Sequence, residues 1–96
     1  DTDVANKNLS STIILDRTLN LLEQKKLHPR NVDLVIICEQ PKIAPHVHAM
    51  KTALSNLLKI EEGDISIKAT TAEGMGVIGE GNGIAVYAIA SLMEVK

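Results

Sequence analysis

Beyond a polar opening, Asp1 to Asn8, which reads as a loop, apolar residues recur at helical spacing. Ile14, Leu15, Leu19, Leu21 and Leu22 share one face, while Asp16, Arg17, Glu23 and Lys25 face away. Ser10 or Ser11 supplies the N-cap. The helix is expected to stop near Leu27, because Pro29 disfavours helical geometry at His28. Lys25 and Lys26 suit the negative end of its dipole. Asn31 is a turn residue. From Val32 to Cys38 the pattern becomes a nearly continuous β-branched run, Val-Asp-Leu-Val-Ile-Ile-Cys, which fits a strand covered on both faces. Glu39 to Pro45 carries Pro41 and Pro45 and cannot be regular helix. Helical spacing returns over roughly Val47 to Lys59, with Val47, Met50, Ala53, Leu54, Leu57 and Leu58 on one face. Glu61 to Asp64 is a turn and Ile65 to Thr70 a strand. Propensity alone allows a helix over Ile84 to Val95. Its β-branched residues Ile84, Val86, Ile89 and Val95, with the loop-like entry at Gly83, favour a long strand.

The element order is therefore α-β-α-β-β. A strand–helix–strand piece is expected to be a right-handed crossover with its two strands parallel, after which the chain returns as an antiparallel strand. The economical fold is an α/β or α+β sandwich, a mixed β-sheet with both helices on one face. That leaves the other face bare. With few polar side chains on the strands, it calls for a partner subunit.

Length and composition narrow the function. Ninety-six residues allow one small domain, residues 1–96, and 45% apolar residues is too many for disorder. There is one Tyr and no Phe or Trp, so the core must come from Ile, Leu, Val, Ala and Met. The net charge of −2 is spread without a basic stripe, which with the missing aromatics speaks against nucleic-acid binding. No apolar stretch is long enough to span a bilayer. The lone Cys38 cannot form an internal disulfide, which fits a reducing compartment. No signal or transit segment is expected from these residues, and an opening without Met reads as a piece of a longer polypeptide.

The chemistry concentrates between Lys68 and Gly83, which holds five of the six glycines. Paired hydroxyls at Thr70 and Thr71, with unencumbered backbone N–H groups, are what a diphosphate needs. A carboxylate three residues after Thr70, at Glu73, can hold an accompanying divalent cation. The plainer reading is a Gly-rich hairpin connection with two exposed threonines.

Two segments carry a family likeness: Asn31-Val32-Asp33-Leu34-Val35-Ile36-Ile37 continuing through Gln40-Pro41-Lys42-Ile43-Ala44-Pro45-His46, and Ile67-Lys68-Ala69-Thr70-Thr71-Ala72-Glu73 continuing through Gly76, Gly79 and Gly83-Ile84-Ala85. The chain resembles the 2-C-methyl-D-erythritol 2,4-cyclodiphosphate synthases of non-mevalonate isoprenoid biosynthesis. The likeness runs from Asp1 to the C-terminus, with Asp1-Thr2-Asp3 similar to the end of the family's Phe-Pro-Asp-Thr-Asp loop. It implies a cytoplasmic enzyme of bacterial type, or a plastid one. The enzyme is a homotrimer with sites between subunits, and it closes the 2-phosphate of a cytidine-diphosphate-linked methylerythritol onto the diphosphate and expels CMP. Zinc and a second cation, magnesium or manganese, assist.

By the same resemblance, Cys38, Glu39, Gln40, Pro41, Lys42, Ile43 and Ala44 form the cytidine pocket. Thr70, Thr71 and Ala72 meet the phosphates, Glu73 holds the second cation, and Asp1, Thr2 and Asp3 line the substrate loop. Glu73 and Thr71 are the candidate catalytic residues. The residue chemistry agrees in part. The two prolines keep the first segment irregular, leaving backbone groups to read a pyrimidine edge. Lys42 brings a positive charge, though read alone it is a solvated loop lysine. Glu73 alone is as readily an exposed loop acid as a magnesium ligand.

Departures from the family are equally informative. Glu80, Asn82 and Val77 stand where members carry Arg, Glu and Phe around a cavity on the trimer axis. A carboxylate at Glu80 repels a diphosphate, so no secondary anion site is expected there. The family's zinc ligands lie in an N-terminal portion that this sequence does not contain. His46-x-His48 does not replace them, because i,i+2 residues of a helix do not share a face. Cys38 reads as a buried inert thiol. The leading reading is thus the C-terminal part of a cyclodiphosphate synthase, inactive by itself and possible in a fusion with a cytidylyltransferase. The alternative is a non-catalytic oligomeric α/β module that binds a nucleotide or assists assembly.

Overall fold

The computed structural model describes residues 10–96; the sequence expectations for Asp1, Thr2, Asp3 and the polar opening lie outside them. The architecture is a mixed three-stranded sheet with helices, an α+β fold, in the order α1 (Ser11–Gln24), β1 (Leu27–Ile37), α2 (Val47–Leu58), β2 (Ile65–Thr70), a single turn α3 (Gly76–Gly79) and β3 (Ala85–Glu94). The sheet order is β2-β1-β3. Two compact units divide the chain, one ending at His28 and taking back Met93–Lys96, the other Pro29–Leu92.

In the first unit, the Ser10 hydroxyl accepts from the Ile13 amide at 3.3 Å and caps α1. Leu15, Leu19 and Leu22 form a half-buried stripe, whereas Ile14 and Leu21, expected on the same face, are exposed. They lie about 100° round the helix from that stripe. The helix ends at Gln24, three residues before the expected Leu27, and Lys26 takes a positive φ of 59° that turns the chain straight into β1. The Val95 amide donates to the Lys26 carbonyl at 2.9 Å.

The second unit holds the core. β1 and β2 are parallel, in register from Val32↔Ile65 to Ile37↔Thr70. The register puts Val32, Leu34 and Ile36 beside Ile65, Ile67 and Ala69 on one face. Val32, Ile36, Cys38, Leu58 and Ile65 are buried, Ile65 to 2% exposure. α2 packs against β2. Leu58 is its buried residue, while Ala53, expected on its inner face, is exposed. Each such aliphatic side chain stabilises the unit by about 1.5–3 kcal/mol.

β1 starts five residues earlier than expected and takes in Pro29 and Asn31. A proline lacks only the N–H, and Pro29 lies before the register with β2 begins, so no bond to β2 is lost. Asn31 is a strand residue whose Oδ1 accepts from the Ser91 hydroxyl. The pairs Lys26–Val95 and Asn31–Ser91 run in opposite directions, so β3 is antiparallel to β1. β3 is the long strand expected from its β-branched residues.

The Gly-rich stretch contains a helical turn that the sequence reading missed. The turn ends in a Schellman closure: the Asn82 amide reaches the Val77 carbonyl at 2.9 Å and the Gly81 amide the Ile78 carbonyl at 3.0 Å, with Gly81 at φ +81°. Propensity disfavours glycine in helices. Here close approach decides, since a Cβ on Gly79 would sit 2.2 Å from the Gly74 carbonyl carbon.

Candidate functional site

A cavity of about 300 Å³ opens beyond the C-terminal ends of the two parallel strands, where ligands settle in open α/β sheets. The Cys38 amide donates to the Thr70 carbonyl at 3.0 Å, carrying the ladder one step past the last register pair. The loops that follow β1 and β2 therefore leave the sheet side by side. Cys38, Glu39, Gln40, Lys42, Ile43, Ala44, Ala69, Thr70 and Thr71 line the cavity. Sequence segments some thirty residues apart thus meet at one place. Of the residues expected there, Pro41, Ala72 and Glu73 do not line it, and Ala69, which lies in the quoted family motif but not among the candidate site residues, does.

The first loop is built around Cys38. Cys38 is 3% exposed, and its thiol donates to the Gln40 carbonyl at 3.1 Å, with the Pro41 carbonyl at 3.5 Å. The loop curls over the sulfur, and the Gln40–Pro41 peptide is cis. A buried thiol turned toward carbonyls of its own loop fits the inert role read from the sequence. Lys42 is exposed. Pro45 lies in a short 3-10 turn, Ala44–His46, that leads into α2. His46 and His48 are exposed, and no group of three or more His, Cys, Asp or Glu could hold a metal among the described residues.

The second loop departs from expectation in one respect. Its backbone N–H groups are not unencumbered. The Ala72 amide donates to Glu39 Oε1 at 2.8 Å, the Gly74 amide reaches the same oxygen at 3.2 Å, and the Glu73 amide meets Thr71 Oγ1 at 3.3 Å. A side-chain carboxylate satisfies donors that loop backbone would otherwise leave to water. The exposed hydroxyls of Thr70 and Thr71 remain as polar groups at the cavity wall. Glu73, exposed and at φ +57°, stands two residues beyond Thr71, followed by Gly74 at φ +76°.

The family model of the YgbB family matches residues 1–93. Among curated relatives, the 2-C-methyl-D-erythritol 2,4-cyclodiphosphate synthase of Azobacteroides pseudotrichonymphae is 41% identical over 90 residues, covering 94% of this chain and 54% of that protein. The enzyme of the same name from Brachyspira hyodysenteriae is 38% identical over 96 residues, covering 100% of this chain and 61% of that protein. The solved structure of IspF from Plasmodium falciparum in complex with CDP superposes with a TM-score of 0.85 at 34% identity, covering 94% of this chain and 56% of that one. The chain spans a little over half the length of these relatives. With the family model matching nearly end to end and two synthases at this identity along the same residues, the chain belongs to the YgbB family of cyclodiphosphate synthases.

Proposed function

We propose that this chain is the nucleotide-binding portion of a 2-C-methyl-D-erythritol 2,4-cyclodiphosphate synthase. In this reading it binds the cytidine-diphosphate-linked methylerythritol phosphate from which the whole enzyme makes the cyclic diphosphate and CMP. One observation carries the reading: the cavity joins the Cys38–Ala44 loop to Thr70 and Thr71 in a chain whose relative from Plasmodium falciparum was solved with CDP.

The cytosine edge meets backbone groups of the Cys38–Ala44 loop, held open by its bonds to the Cys38 thiol. The phosphates meet the hydroxyls of Thr70 and Thr71 and the charge of Lys42. Glu73 offers one exposed carboxylate, which with phosphate oxygens and water is a donor set that suits magnesium or manganese. Bound there, such an ion neutralises phosphate charge and helps align the reacting phosphates. The described residues do not fit a zinc site, so no step of this chain is assigned to zinc. The loops hold the nucleotide end still, lowering the entropic part of the barrier, and no covalent protein intermediate is required. Asp1, Thr2 and Asp3 are assigned to the substrate by the same reading. Exposed Val86, Tyr87 and Ile89 on β3 support burial against other copies in a homotrimer.

Calorimetric titration with CDP, with and without magnesium, tests the assignment. Magnesium is expected to tighten binding by about tenfold, equivalent to about 1.4 kcal/mol, and Glu73→Ala to abolish that gain. Equal affinity with and without metal favours a non-catalytic pocket. Release of CMP from substrate by the 96-residue chain alone would refute its being only the binding portion.

A further inference from the structure

The carboxylate of Glu39 has no part in the reading above except as a wall of the cavity, yet it makes the hydrogen bonds that tie one loop to the other. It leaves the chain one residue after the last buried position of the β1 run and reaches across to residues 33 and 35 positions later. Its Oε1 accepts from the Ala72 and Gly74 amides, which flank Glu73. Two N–H groups converging on one oxygen form an anion nest, and a charged acceptor strengthens both bonds. The bonded stretch includes two consecutive residues of positive φ, Glu73 and Gly74, a conformation that glutamate does not favour by itself.

We propose that Glu39 is a positioning residue of this site. Its carboxylate fills the nest at Ala72–Gly74 and fixes the backbone from which Glu73 presents its own carboxylate to a phosphate-bound divalent cation. The role rests on the proposed nucleotide site, and it sharpens that site. With the nest occupied from within, phosphate contacts fall to the Thr70 and Thr71 hydroxyls and to Lys42, and the loop amides serve as structure. The Glu39 carboxylate is already bonded before any ligand arrives. The backbone at Glu73 therefore does not have to be ordered at the cost of binding energy.

Two measurements on Glu39→Ala and Glu39→Gln decide it. Without ligand, amide exchange by NMR is expected to be about tenfold faster at Ala72 and Gly74 in Glu39→Ala, the loss of a hydrogen bond of ordinary strength. The Cys38 amide, bonded to Thr70 in the ladder, should stay at its original rate and so report an intact sheet. Glu39→Gln, which keeps an acceptor oxygen, should retain most of the protection. With CDP, the ratio of affinities with and without magnesium should collapse toward unity in Glu39→Ala and recover in Glu39→Gln. A merely structural role would weaken both affinities together and leave the ratio unchanged. Unchanged exchange at Ala72 and Gly74 overturns the proposal, as does an unchanged ratio in Glu39→Ala or a collapsed ratio in Glu39→Gln with protection kept. If the unaltered chain shows no magnesium-dependent binding of CDP, the proposed function fails, while the exchange rates still decide whether Glu39 holds the loop.

Discussion

At the scale of single residues, the second loop holds a backbone that its composition disguises. Glu73 in the left-handed region costs about 1–2 kcal/mol relative to ordinary backbone, and the Glu39 bonds on either side offset it. The tightest requirement lies at Gly79, where a side chain would run into the Gly74 backbone, which cannot swing aside as a flexible side chain can. Gly79→Ala is therefore expected to destabilise the protein by about 1–3 kcal/mol. Urea denaturation would read this as a lower midpoint, and an unchanged midpoint would show that the loop is looser than described. The Thr-Thr-x-Glu pattern and the proline-bounded loop were legible from residue types alone. The Glu39 contact was not. It joins positions more than thirty residues apart, and a carboxylate that accepts from amides carries the same letter as one facing solvent.

At the scale of elements, hydrophobic pattern located both long helices, β1 and β2, while β-branched composition located β3, which is exposed along nearly its whole length. Pattern failed at the junctions, where short-range chemistry competes with it. Pro29 reads as the end of a helix, but the helix had already closed at Lys25 and Lys26, and the proline lies in the part of β1 that β2 does not flank. The turn at Gly76–Gly79 is invisible to propensity, since its glycines are there for close approach and for the left-handed closure at Gly81. Where pattern and packing agree, the energetic consequence is direct. Ile65 opens β2 beside Val32, almost wholly buried. Ile65→Ala is expected to cost about 2–5 kcal/mol, measured as a fall in unfolding free energy with little change in its denaturant slope. A loss below about 1 kcal/mol would mean that the β1–β2–α2 core relaxes around the gap.

At the scale of the whole molecule, the strand that closes the sheet is its least protected. β3 pairs with β1 along one edge, yet Tyr87 is 66% and Ile89 75% exposed. If other copies of the chain cover this surface, Ile89→Lys should shift the sedimentation coefficient from trimer toward monomer, because an unpaired ammonium resists burial. Identical sedimentation of the two proteins would remove β3 from the interface. The level ending of β1 and β2, Ile37 opposite Thr70, has its own consequence. One residue added to either strand would lift one rim of the cavity by about 3.3 Å and turn its side chains to the opposite face of the pleat. Within these strands, then, one apolar side chain of like volume can stand in for another, whereas a change of length has nowhere to be absorbed.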